Sequence, residues 1–148
     1  MKSRALLYIL FFFSSVVVLH AQPTAASTSP VFKVKVEVTG VRQAKGDLRI
    51  GVYSEENDFA SKSDIYDYRI VSAKESNNSV VFEIPKEGKY AIAILHDVSK
   101  NGKMDFNWVG YPKEPYGFSN NPGIWFRLPT FEECSFEVSN DMKLKVEL

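Results

Sequence analysis

The chain has 148 residues, with 18 Lys and Arg against 18 Asp and Glu and one cysteine. That length fits one domain, and balanced charge with scattered acids excludes both a nucleic-acid footprint and an acidic tail. A lone cysteine, Cys134, excludes an intramolecular disulfide, so stability must come from a core or a bound metal.

Residues 1–21 have the pattern of a secretory signal. Lys2 and Arg4 open it, Ala5 to Leu19 is apolar apart from Ser14 and Ser15, and the small Ala21 closes it. The run is shorter than the roughly 20 residues a spanning helix needs. The expectation is an exported protein, periplasmic or extracellular, with no transmembrane segment once the signal is removed. Residues 22–30, rich in Thr, Ala, Ser and Pro, are expected to form a disordered tether. Residues 31–148 would be the domain.

The first strand is predicted from Phe32, Val34, Val36 and Val38, which alternate with Lys33, Lys35, Glu37 and Thr39. Period two sends one set to a core and the other to water. Gly46 to Tyr53 repeats the pattern through Leu48, Ile50 and Val52, and Tyr68 to Ala73 is a weaker strand. Ser76-Asn77-Asn78-Ser79 reads as a hairpin turn before Val80 to Ile84, because asparagine tolerates positive φ. Lys89 to Asp97 places Tyr90, Ile92, Ile94 and His96 on one face and Ala91, Ala93, Leu95 and Asp97 on the other. Both faces are largely apolar, which predicts a central strand.

Thr130-Phe131-Glu132-Glu133 has capping-box spacing and predicts one helical turn. Cys134 to Val138 and Met142 to Leu148, joined by Asn140-Asp141, complete the pattern. Cys134 is expected to point inward as an inert thiol. About seven short strands predict an all-β chain folded as a single antiparallel β-sandwich with one long ordered loop.

That loop, 97–133, shows no strand alternation yet holds Phe106, Trp108, Tyr111, Tyr116, Phe118, Trp125, Phe126 and Phe131. Such richness in aromatics argues for order rather than disorder. The aromatics are expected to pack as a small core beneath the loop. Trp108 and Trp125 are the candidates for exposure. With Glu114 and Tyr116 they form the candidate binding surface, where stacking on a ligand such as a sugar is the alternative to packing.

The loop opens with chemistry suited to a hard cation. Asp97, Ser99, Asn101 and Asp105 stand at positions 1, 3, 5 and 9 of an EF-hand-like spacing, with Gly102 at 6 and the Lys103 carbonyl at 7. Position 12 is Trp108 instead of a bidentate glutamate, so Glu114 or Asn107 would have to complete a calcium shell. The other reading is an Asn-Gly turn in which Asp97 and Ser99 bond the loop backbone.

Catalytic signals are sparse. His96 is the only histidine beyond the signal segment, and there is neither a nucleophile elbow nor a phosphate-cradling glycine loop. Asp47, Asp58, Asp64 and Asp67 lack paired-carboxylate spacing. A structural His96 bonded to loop backbone is expected. The leading functional expectation is a non-enzymatic binding or accessory module of the cell envelope, with a protein or glycan partner. The alternatives are a small hydrolase or isomerase using His96, Asp97 and Glu114, and a structural domain that assembles through a sheet edge.

The stretches His96-Asp97-x-Ser99-x-Asn101-Gly102-Lys103-x-Asp105-x-Asn107, Gly110-Tyr111-Pro112-x-Glu114-x-Tyr116-Gly117-Phe118-Ser119-Asn120-Asn121 and Pro129-Thr130-Phe131-Glu132-Glu133 carry a resemblance, as does Pro85-x-x-Gly88-x-Tyr90-Ala91-Ile92-Ala93. Over about Val34 to Leu148 the chain resembles domain-of-unknown-function family 2141, exported bacterial proteins mostly from Gram-negative species. The family usually has asparagine at Ser99 and a small residue such as alanine at Cys134. The resemblance implies an exported β-sandwich of transthyretin-like or immunoglobulin-like type. It implies no activity, substrate or catalytic residue.

Overall fold

The alternation read from residues 32–39 is realised as strand β1, Phe32–Thr39, whose Phe32, Val34, Val36 and Val38 are buried while the residues between them are not. The structure, a computed structural model, describes residues 30–61, 63–123 and 127–148. The proposed signal segment, tether residues 22–29, Trp125 and Phe126 lie outside them. The other strands are β2 (Asp47–Ser54), β3 (Asp67–Ser72), β4 (Asn78–Ile84), β5 (Gly88–Asp97), β6 (Tyr116–Phe118), β7 (Phe136–Val138) and β8 (Met142–Glu147). One helical turn, α1 (Phe131–Cys134), precedes β7.

Two sheets form a sandwich. The smaller has the order β4-β1-β8 and the larger β3-β2-β5-β6, with β7 also pairing β5. The core between them takes the inward set of every long strand. Val34 and Val36 of β1, Phe82 of β4 and Val146 of β8 face Leu48, Ile50 and Val52 of β2 and Tyr90, Ile92 and Ile94 of β5. β5 is central, paired with β2 on one side and with β6 and β7 on the other. Its second apolar face is covered by a smaller cluster in which Ala91, Phe118 and Cys134 are buried against Phe59, Tyr116 and Phe131.

Two details depart from the expectation. The 97–133 segment contains a strand, β6, too short to show alternation in the sequence. It forms because β5 has an open edge between Ala93 and Leu95 to pair with. The sandwich is not purely antiparallel either, since β8 runs parallel to β1. The chain leaves the larger sheet at β7 and crosses to the smaller one before β8. The predicted helical turn is present as drawn. Thr130 is its N-cap, the Glu133 N–H donates to Thr130 Oγ1, and Glu133 Oε2 accepts from the Thr130 N–H. Among the described residues, no helix is long and apolar enough to cross a membrane.

Candidate functional site

The outward face of the larger sheet is where the chain departs from a plain sandwich. Residues paired directly across strands share a face, and the pair Gly51–Ala93 puts two of the smallest residues of β2 and β5 side by side, with Arg49–Leu95 the next pair on that face. Ala93 pairs onward with Phe118, and Leu95 with Tyr116. A strand glycine beside an alanine keeps the sheet surface low, and here the Tyr53 ring lies against Gly51. The consequence is a groove of about 1020 Å³ floored by Gly51, Ala93 and Leu95. Met104, Phe106, Tyr111 and Pro112 wall it on one side, and Tyr53, Ala60, Ile65 and Tyr68 on the other. Arg49 and Arg127 are its cations. The surface is aromatic and aliphatic, with phenol hydroxyls at its edges.

The first wall belongs to an arm, residues 98–115, whose base is built around Asp97. The Asp97 carboxylate is fully buried. Its Oδ1 accepts from Asn101 N at 3.0 Å and Ser99 Oγ at 3.3 Å. Its Oδ2 accepts from Gly102 N at 2.8 Å and Arg49 Nε at 2.6 Å. Burial pushes this carboxyl's pKa up, but the Arg49 guanidinium and the Gly102 and Asn101 N–H groups outweigh burial and hold it below the ordinary value. The Glu114 carboxylate is buried too. It accepts from Ser99 N at 3.1 Å and Asp105 N at 3.2 Å, pinning both sides of the arm together.

The residues read as cation ligands therefore do come together, but around backbone. Asp97 has four donors on its two oxygens, the acceptor capacity of a carboxylate, and the cation it meets is Arg49. Asn101 turns its amide nitrogen to Asp105 Oδ1 at 2.8 Å and its oxygen to Lys103 N at 2.9 Å. Among the described residues, no cluster of three or more His, Cys, Asp or Glu is placed to share a metal ion. The arrangement is that of the Asn-Gly turn, and calcium would have to displace Arg49 to enter it.

The proposed binding residues separate. Tyr116 lines the groove. Glu114 sits at the arm's base, away from the groove, and Trp108 stands at the arm's tip. The expectation of a core beneath the loop holds for Tyr116, Phe118 and Phe131. It fails for Phe106 and Tyr111, which are exposed; Trp108 is exposed as expected.

His96 is fully buried on the core side of β5, and its Nε2 donates to the Lys45 carbonyl at 2.7 Å. Its Nδ1 has no partner among the described residues. His96 and Glu114 line a second, smaller cavity of about 340 Å³ with Arg42, Lys45 and Lys113, but Asp97 lies on the opposite face of the sheet and does not join them. Cys134 is buried, and burial followed by the nearby Glu133 charge pushes its thiol up to about 12.

Sequence reasoning missed Arg49, Gly51, Tyr68 and Ala93 as site residues. The glycine inside an otherwise regular strand, two positions from an arginine on the same outward face, was the available signal.

The family described as an uncharacterised protein conserved in bacteria (DUF2141) matches residues 36–146 of this chain, three-quarters of its length. No curated protein and no solved structure matches it. The chain belongs to that family.

Proposed function

We propose that this member of the DUF2141 family is an exported module that binds a largely apolar, ring-containing small molecule in the groove over Gly51 and Ala93. The groove itself carries the reading. Its volume of about 1020 Å³ lies at the upper end of the range that ligand sites occupy, roughly 300–1,000 Å³. Its lining of tyrosine, phenylalanine, methionine and proline offers stacking surface, and the Tyr68 hydroxyl and the Arg49 guanidinium offer a polar end. Export is supported by the signal-like pattern of residues 1–21. The hydrolase reading has weaker support, since His96 is buried against a carbonyl and Asp97 is consumed by the arm.

The test uses anilinonaphthalene sulfonate, an aromatic probe with one anionic group. Its fluorescence should rise on binding, and Ala93→Trp, which fills the groove floor, should abolish the rise while the folded near-UV signal persists. Undiminished binding to a folded Ala93→Trp protein would remove the groove as the site.

A further inference from the structure

The end of the arm is the most exposed apolar surface among the described residues. Every residue from 106 to 111 is exposed. Phe106 is 57 % exposed, Trp108 95 %, Val109 57 % and Tyr111 65 %. Four bulky apolar side chains within six positions, none covered, form a patch that a solvated loop has no reason to carry.

The tip is also closed on itself. Phe106 and Pro112 form a bridge, Asn107 N donates to the Tyr111 carbonyl at 2.8 Å, and Gly110 N donates to the Asn107 carbonyl at 3.0 Å. The Asn107 side-chain oxygen accepts from Val109 N at 3.0 Å and Tyr111 N at 2.9 Å. Gly110, with φ of +83°, makes the reversal possible. Four backbone N–H groups are thus satisfied within the tip. Hydrocarbon penalises unpaired backbone groups heavily, so a tip that satisfies its own is suited to leave water.

The exposed charges nearest the tip are basic. Lys103 and Lys113 are exposed along the arm, while Lys100 pairs with Asp47 at 3.1 Å. Of the acids, Glu114 is buried on backbone donors and Asp105 is half-buried.

We propose that the tip at Phe106–Tyr111 docks on an anionic lipid surface, with Trp108 and Val109 entering the interface and Lys103 and Lys113 meeting the headgroups. Tryptophan and tyrosine favour the membrane–water boundary because one end is apolar and the other polar. Basic residues beside the inserted side chains add attraction to anionic lipid. Phe106 and Tyr111 also line the groove, but Trp108 and Val109 do not, so the two side chains that enter the interface can be changed apart from the ligand site.

The chain has two tryptophans, Trp108 and Trp125, and none in its first 29 residues. Tryptophan emission therefore does not report binding by the apolar N-terminal segment. The full chain is titrated with vesicles of phosphatidylglycerol and phosphatidylethanolamine, with and without brominated acyl chains, and with phosphatidylcholine vesicles. A blue shift with bromine quenching on the anionic vesicles is expected in the wild type. It should disappear in Trp108→Ser, an exposed site whose change leaves the fold intact. Lys103→Glu with Lys113→Glu should weaken lipid affinity by about tenfold or more. Unshifted, unquenched emission at saturating anionic lipid would overturn the proposal and leave the tip to a protein partner. An equal response in Trp108→Ser would overturn it as well, and so would equal affinity for phosphatidylcholine.

Discussion

Arg49 and Asp97 stand 48 positions apart in the sequence, yet the guanidinium Nε lies 2.6 Å from the carboxylate Oδ2. They lie diagonally across the β2–β5 pairing, in which Arg49 is opposite Leu95 and Asp47 opposite Asp97. This single contact joins the groove to the arm, because Arg49 lines the one and Asp97 holds the base of the other. Gly46 makes it reachable. Its φ is +80°, and a Cβ there would collide with the Asp97 carbonyl. The groove's first wall is thus tied at its base to β2 through this pair.

Asp97→Ala should lower stability by about 3–5 kcal/mol, because it removes the buried carboxylate that accepts from Arg49, Ser99, Asn101 and Gly102. Arg49→Met should cost less, about 1–3 kcal/mol, since Asp97 keeps three donors. Urea unfolding of both single variants and the double variant checks this. Additive losses would mean the pair is not coupled.

The same carboxylate sets an acid dependence. Asp97 titrates below its ordinary value in the fold, so its contribution is full above the unfolded-state value and is lost as pH falls through the folded one. Glu133 behaves alike. Its bidentate Arg127 partner and the Thr130 N–H lower it from 4.5 to about 2, so its share is lost between those values, and water screens it because the side chain is exposed. The urea midpoint should therefore hold near neutrality and fall below about pH 4. Asp97→Asn should start lower and fall less steeply. A parallel curve would assign the acid loss to other groups.

Calcium at millimolar concentration should leave the melting temperature where chelator leaves it, because Arg49 and three further donors occupy the Asp97 oxygens. A site held at a hundredfold its Kd would add about 2.7 kcal/mol. Calorimetry in the two buffers resolves such a change, and a rise in calcium would show that the ion displaces Arg49.

Glu114→Gln should loosen the arm without unfolding the sandwich. Both Glu114 oxygens accept from backbone N–H groups, and an amide would turn its own donor toward one of them. The cost should be about 1–3 kcal/mol, read as faster proteolytic nicking between residues 98 and 113. Unchanged nicking would mean the arm is held elsewhere.

Cys134 should resist alkylation in the native protein at pH 8 and react once urea exposes it. Its thiol, pushed up to about 12, is neutral there, and the thiolate is the reactive form. Native-state labelling at the rate of a free thiol would contradict its burial.

The chain's local chemistry was enough to write most of the strands. Alternation at Phe32–Val38 and Leu48–Val52 appears unchanged, but the hairpin read at residues 76–79 does not form: Asn77 turns with φ of +59°, and the strands on either side of it, β3 and β4, lie in different sheets. The Thr130–Glu133 cap and the double-faced character of Tyr90–Asp97 were equally legible, because each depends on neighbours within a few positions. Tertiary structure alone decided the site. β6 exists only because β5 offers it an edge, and β8 is parallel only because the chain changes sheets. The oxygens from Asp97 to Asp105 have a spacing that fits a cation or a backbone turn, and what meets Asp97 is an arginine from another strand. The groove needs Gly51, Ala93, Tyr116 and Tyr68 on one face, and residues so far apart become neighbours only through strand register.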